Sequence, residues 1–177
     1  TPAVHAVPGA LEHSIPVKPI RHFNERWLAL LGRVRERTQP TTIAVVGAGA
    51  GGVELLLAMQ YRLRRELRQR GKDPNQLHFH LFDAAADILP THNPRVRAVF
   101  RRTLADRGVT VHLGSPVVKV DAGQLRTEAG QSLGVDEVLW VTRAGGPAWL
   151  EQTGLALDEG RFIRVRDTLQ TETDDNI

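Results

Sequence analysis

One run of twelve residues, VVGAGAGGVELL from Val45 to Leu56, constrains the fold of this chain more than any other feature. It sets Gly47-x-Gly49-x-x-Gly52 between a continuously apolar, β-branched run, Thr42–Val46, and a segment with helical spacing. An unbroken apolar run of that kind suits a parallel strand covered on both faces. Each glycine then has a separate task. Gly47 permits the tight turn off the strand, Gly49 lets a ligand's pyrophosphate approach the backbone, and Gly52 lets the helix pack closely on the sheet. The amides around Ala50 and Gly51 are left free at the positive end of a helix, which is a cradle for phosphate. A bare GxGxxG is weak evidence, but the same spacing in strand–turn–helix order is a dinucleotide-binding signature.

The flanking segments extend the pattern. Val53–Arg70 reads as a long helix, apolar early and amphipathic late, with Gly71 placed to end it. Leu77–Phe82 (LHFHLF) reads as a second strand. Pro94–Arg107 is a second amphipathic helix, with Val96, Val99, Phe100 and Leu104 inward and Gly108 closing it, before a third strand at Val109–Leu113. Right-handed crossovers turn this β-α-β-α-β order into a parallel sheet. Val117–Asp121, Gln124–Thr127 and Val135–Val141, divided by Ala122-Gly123 and Ala129-Gly130, read as a small antiparallel meander, and Arg161–Val165 as one more strand. The expected fold class is therefore α/β: a Rossmann-type parallel sheet with helices on both faces and a small antiparallel β-meander. Upstream, prolines at 2, 8, 16 and 19 argue for an extended arm. Ile20–Arg37 then carries a helical stripe of Ile20, Phe23, Trp27, Leu30, Leu31 and Val34, ended by Gln39-Pro40. The expected division is an arm and helix over 1–40 and a nucleotide-binding domain over 41–177.

A dinucleotide site also needs an acid for the adenosine ribose hydroxyls. Spacing alone favours Asp73, which is 21 residues after Gly52. Asp73 sits in Lys72-Asp73-Pro74-Asn75, which is turn chemistry ahead of the second strand. Asp83 ends that strand, 31 residues after Gly52, and the long first helix accounts for the surplus. Asp83 is the expected ribose ligand. A carboxylate there favours NAD over NADP, because a 2′-phosphate would meet a like charge, and Ala84, Ala85 and Ala86 supply no arginine.

Composition removes other classes. With 41% apolar residues, the 177-residue chain is globular in character and long enough for one domain with a real core. The absence of cysteine excludes disulfides, thiolate zinc sites and a redox thiol pair within it. No apolar run nears the roughly 20 residues of a membrane span, and the N-terminus lacks the layout of a signal peptide. These features suit a cytoplasmic protein. The net charge is only +3, and the cluster Arg62, Arg64, Arg65, Arg68, Arg70 and Lys72 reads as the solvated, dipole-complementing end of a helix, not as a nucleic-acid face. Among seven histidines, His78 and His80 share a strand face, but no third ligand has metal-site spacing. Trp140 and Trp149 read as packing groups, one of which can border the ligand cleft. Lys18 reads as a solvated arm residue, or one facing a neighbouring domain.

The run VVGAGAGGVELL resembles the NADH-binding domain of the two-dinucleotide-domain flavoproteins, the pyridine nucleotide-disulfide oxidoreductases and type II NADH dehydrogenases. VPGALEHSIPVKPI, LWVTRAGGPAWLEQTGLALDEGRFIRV and DTLQTETDDNI resemble the dehydrogenase-like branch associated with selenophosphate synthetase. In that family the NADH domain is inserted into an FAD domain. The resemblance implies that this chain is an NADH domain cut from a longer flavoprotein: it starts in the connecting arm and stops where the flavin domain resumes. It further implies NADH bound at Gly47, Gly49, Ala50, Gly51, Gly52 and Asp83, with the flavin domain of the same polypeptide as partner and FAD as the hydride acceptor, bound elsewhere in that polypeptide. Glu54 matches the family glutamate toward the nicotinamide–flavin contact, against an ordinary role as a first-turn acid. Thr142 falls where the family has an Ala-Thr-Gly turn beside the nicotinamide, and here Arg143 replaces the glycine.

On this reading the protein is an FAD-dependent NADH oxidoreductase whose chemistry belongs to the cofactors, with no catalytic side chain in this chain. Two alternatives stay open. An S-adenosylmethionine-dependent methyltransferase also places glycines after a first strand and an acid after the second, although Gly52 and the unbroken helix favour the dinucleotide. A non-catalytic nucleotide-binding regulatory domain draws support from Arg143. A short-chain dehydrogenase is disfavoured, since Tyr61, the sole tyrosine, is followed four residues later by Arg65 instead of lysine.

Overall fold

The computed structural model describes residues 7–142 and 145–177. Five parallel strands form the main sheet: β1 (Ile15–Pro16), β2 (Thr41–Val46), β3 (Leu77–Phe82), β4 (Val109–His112) and, between β1 and β2, β8 (Glu137–Trp140). Their spatial order is β1-β8-β2-β3-β4. A second sheet is an antiparallel meander of β5 (Val117–Asp121), β6 (Gln124–Thr127) and β7 (Ser132–Gly134). The helices are a single turn, α1 (Ala10–His13), then α2 (Phe23–Glu36), α3 (Ala50–Gln69) and α4 (Pro94–Asp106).

The alternation of the strands assigns the layers. Ile43, Val45, Phe79, Leu81 and Leu139 point to one face and meet Leu30, Leu31 and Val34 of α2, Val53, Leu56, Met59, Leu63 and Leu67 of α3, and Leu104 of α4. Ala44, Val46, Phe82, Val138 and Trp140 point to the other face and meet Val117, Val120, Leu125 and Val135, together with Ala10 of α1. Helices do lie on both faces, but unequally. The three long ones share one face, and the meander with one-turn α1 covers the second. The ends of the helices follow their sequence signals. Gly71, at φ 69°, closes α3 with its amide donating to Arg68 O and the Lys72 amide donating to Leu67 O. Asn93 caps α4 by accepting from the Val96 amide, with Pro94 at the first helical position.

Several expectations need correction. Val135–Val141 does not complete the meander. That role falls to Ser132–Gly134, and Glu137–Trp140 returns to the main sheet, pairing parallel with β1 and β2. The reason is burial on both faces, since all four residues of β8 are buried, which a half-solvated meander cannot offer. The proline-rich arm is not wholly extended. Residues 10–13 form α1, and Ile15–Pro16 becomes an edge strand, where proline's missing donor is harmless. The described part of 1–40 thus supplies β1 and α2 to the same sheet and core as the rest. Arg161–Val165 forms no strand but only two isolated bridges, Leu157 to Ile163 and Val165 to Thr171. Ile20 (70% exposed) lies in a 3-10 turn ahead of α2 and so leaves the expected stripe, and Val99 (59% exposed) faces outward from α4.

The basic end of α3 is less solvated than expected. Arg62 and Arg70 pair with Glu66, which Arg35 of α2 also bonds at 2.8 Å. These guanidiniums hold the Glu66 carboxyl below its ordinary value, the bonds from Arg35 and Arg70 foremost. Arg64 lies over the Phe79 ring, and Lys72 donates to the carbonyls of Arg35 and Arg37. Charges there fasten α2 to α3 at the end of the sheet away from the glycine turn.

Candidate functional site

The site grows from the turn between β2 and α3. Gly47 leaves β2 at φ 116°, and a Cβ there would lie 2.8 Å from Val141 O. Gly52 sits on the first turn of α3, where a Cβ would stand 1.7 Å from Gly47 O. Both positions exclude any side chain. At Gly49, by contrast, a Cβ would meet nothing within 4 Å, because that position faces open space. The three glycines thus separate physically into a turn, an approach to the backbone and a packing contact. The Gly49 carbonyl accepts from the Gly52 and Val53 amides, while the amides of Gly49, Ala50 and Gly51 have no acceptor among the described residues. They are the orphan donors of a helix start, with the positive end of the α3 dipole behind them.

Asp83 faces this turn. One carboxylate oxygen accepts from the Ala48 amide and the other from the Ala85 amide at 2.8 Å. Each of these oxygens has a second lone pair for a ligand hydroxyl. The loop after β3 is clasped to the glycine turn a second time, since the Leu89 amide donates to Ala48 O at 2.8 Å. The same loop is pinned to α4 by Asp87, which binds both Arg97 and Arg101. The Arg101 guanidinium bonded to it, with Arg97 beside it, holds the Asp87 carboxyl below its ordinary value. Ala84, Ala85 and Ala86 carry no cation into the space beyond Asp83.

A cleft of about 620 Å³ opens between these groups. It is lined by Gly47, Gly49 and Gly51 on one side, Asp83, Ala84 and Ala85 on another, and Trp140, Val141 and Thr142 at the end of β8. The cleft lies at the C-terminal ends of the strands, where the chain goes from β2 outward to β3 in one direction and returns by β8 in the other. That reversal is the place where open α/β sheets bind ligands. Thr142 Oγ1 accepts from the Trp140 indole at 2.9 Å, which fixes the floor of the cleft at that end.

Most expected residues are brought together here. Ala50 flanks the cleft on the first turn of α3. Glu54 lies exposed one turn further along and does not line it. Arg143 lies outside the described residues. Trp140 borders the cleft, whereas Trp149 is 61% exposed. Lys18, Pro90, Ser115 and Pro116 also line the cleft and were not singled out as site residues. Ser115 had a signal, because it follows the end of a strand at the sheet edge that such ligands use. Lys18 had none, since only the pairing of β1 with β8, more than a hundred residues away, brings it there. His80 does not pair with His78. Its Nδ1 lies 3.0 Å from His112 Nε2 across β3 and β4, and His112 stacks on Phe82 at 4.1 Å. Burial pushes both imidazoles below the ordinary histidine range, and at His80 the neighbouring histidines add to the effect.

A dinucleotide fits this geometry on the molecule's own terms: three unpaired amides at a helix start, a glycine that leaves their approach open, and a fixed carboxylate across the gap. A type II NADH:quinone oxidoreductase of Haemophilus influenzae is 30% identical over 139 residues, spanning 76% of this chain and 31% of that protein. The chain thus spans about a third of the length of that relative. Among solved structures, the fold matches NDH2 from Plasmodium falciparum in complex with NADH at a TM-score of 0.74 and 16% identity, over 91% of this chain and 37% of that one. It also matches the water-forming NADH oxidase from Lactobacillus brevis bound to NADH at a TM-score of 0.68 and 20% identity, over 96% and 34%. The sequence profile of the pyridine nucleotide-disulphide oxidoreductases matches residues 1–177, and the chain belongs to that family.

Proposed function

We propose that this chain is the NAD(H)-binding part of an FAD-dependent NADH oxidoreductase, presenting NADH for hydride transfer to a flavin held elsewhere in the full-length protein. The observation that carries the reading is the pairing of the unpaired amides of Gly49, Ala50 and Gly51 with the Asp83 carboxylate across one cleft. The amides and the helix dipole hold the two phosphates, and Asp83 accepts from the adenosine ribose. Gly47 and Gly52 keep α3 close enough for those amides to reach the ligand. Thr142 and the Arg143 that follows it in the chain are assigned to the nicotinamide end, and Glu54 to the contact with the flavin domain. Bound NADH would supply the hydride, and this chain's contribution is to bind and orient.

The partner in this reading is the flavin domain of the same polypeptide, and the name of the NADH:quinone oxidoreductase relative supports a quinone as one candidate acceptor. Residues 1–40 lead from that domain and 41–177 form the bulk of the nucleotide-binding unit. Among the described residues no helix is long and apolar enough to cross a membrane, and we place the protein in the cytoplasm. The methyltransferase reading finds no support in the family match, and the regulatory reading rests on Arg143 alone.

Isothermal titration tests the reading. The chain should bind NADH more tightly than NADPH, and Asp83→Ala should weaken NADH binding by about 1–3 kcal/mol for a lost charge-assisted hydrogen bond. Binding of S-adenosylmethionine without NADH, or equal affinity of the variant for NADH, would sink it.

A further inference from the structure

Two charged side chains line the cleft among the described residues, Asp83 and Lys18. They stand at opposite ends. Asp83 follows β3 and Lys18 follows β1, with β2 and β8 between them in the sheet. Three strand spacings separate the two ends, roughly 14 Å. The register of β1 and β8 pairs Pro16 with Trp140, and the Val17 amide continues it by donating to Trp140 O. One residue further, Lys18 comes abreast of Thr142. The backbone that carries it is held by Arg26, whose guanidinium donates to Pro16 O at 2.7 Å. The Lys18 ammonium has no hydrogen bond or ion pair among the described residues. Lys18 is exposed, and Asp83 is the one carboxylate that lines the cleft among the described residues, so no fixed anion neutralises the ammonium at that end.

We propose that Lys18 is a specificity-determining residue that makes this site favour reduced over oxidised nicotinamide. The inference rests on the NADH reading above. If Asp83 holds the adenosine ribose and the α3 amides hold the phosphates, the nicotinamide extends over the end of β8, toward Thr142 and Lys18. An oxidised nicotinamide ring carries a positive charge and a reduced one does not. An ammonium beside the ring therefore repels the oxidised form and leaves the reduced form unaffected. The phosphates lie two strands away, farther than a flexible lysine stem placed at β1 reaches easily. Lys18 thus acts on the ring and not on the anionic middle of the ligand. The consequence is early release of the oxidised product.

Titration calorimetry of the 177-residue chain with NADH, NAD+ and ADP-ribose, which lacks the nicotinamide, tests this. Lys18→Gln should tighten NAD+ relative to NADH by about three- to tenfold, the size of one unit charge felt across a partly solvated cleft. The same variant should leave ADP-ribose unchanged, and Lys18→Arg should keep the wild-type ratio. A thermal melt of each variant matching wild type secures the fold. An unchanged NAD+ to NADH ratio in Lys18→Gln, or equal weakening of all three ligands, overturns the proposal, the second result marking Lys18 as a phosphate contact. Failure of the wild-type chain to bind any of the three overturns the dinucleotide reading itself, and the role of Lys18 with it.

Discussion

The two ends of the cleft are built by different means. At the glycine-turn end, backbone does the work: amides at a helix start, a carboxylate bonded to the Ala48 and Ala85 amides, and six consecutive residue pairs aligning β2 with β3. At the β8 end, the wall depends on side chains, with the Trp140 indole bonded to Thr142, and further along the chain only isolated bridges join Leu157 to Ile163 and Val165 to Thr171. Backbone geometry is dictated by strand register and helix phase, so it tolerates little change. A wall of side chains can be retuned one residue at a time. On the proposed reading, the contrast teaches that binding of the ligand's common portion is written into the fold, whereas discrimination between its forms is added on top.

The largest expected effect breaks the glycine-turn end. Gly52→Ala drives a methyl group onto Gly47 O and should destabilise the chain by about 3 kcal/mol or more, with NADH binding lost, as read by urea unfolding and titration. Gly49→Ala is its control. The methyl group there meets only open space, so the unfolding midpoint should hold while NADH binding weakens at least tenfold, roughly 1.4 kcal/mol. If both variants behave alike, the separation of packing from ligand approach is wrong.

Next comes the strand that joins the two ends. Glu137 begins β8, nearly buried, and receives a two-pronged bond from Arg33 at 2.6 and 2.7 Å. The pair raises the Arg33 pKa, its hydrogen bond to Glu137 outweighing burial. Because Arg33 is half in water, Glu137→Ala should cost about 1–2 kcal/mol in unfolding free energy, below the range for fully buried pairs. At the β8 end, Thr142→Val removes the acceptor of the Trp140 indole and should cost about 1 kcal/mol, with a larger change in tryptophan fluorescence than in stability.

The smallest effect is a pH dependence. The folded pKa values of His80 and His112 lie below the unfolded value, so the unfolded chain binds protons first as pH falls through about 6.5. The stability held by the neutral pair is therefore full above that pH and declines toward the lower folded pKa values. Melting temperatures measured between pH 7.5 and 5 should fall more steeply for wild type than for His80→Gln/His112→Gln. Parallel slopes would show that the pair does not contribute.

The glycine run, the strands on either side of it and the acid at Asp83 were legible because each is local. A turn that needs φ above zero, an apolar β-branched run and a capped helix announce themselves within a few residues. The starts and stops of β3, β5 and β6 were legible for the same reason, since turn residues bound them. The destination of Val135–Val141 was not legible, because an apolar strand can join either of two neighbouring sheets and only its burial on both faces decides. Lys18 was out of reach for a similar cause. Nothing within the proline-rich arm says that Ile15–Pro16 will dock beside Trp140.

The sequence by itself determined the local structure of the glycine turn, because helix phase, glycine spacing and strand alternation operate over one or two turns of chain. The tertiary structure alone decided which strand lies between β1 and β2, how far the long helices crowd one face, and which cation stands across from Asp83. Those outcomes depend on pairing between segments far apart in the chain, where register and two-sided burial choose among partners that look equivalent along the sequence.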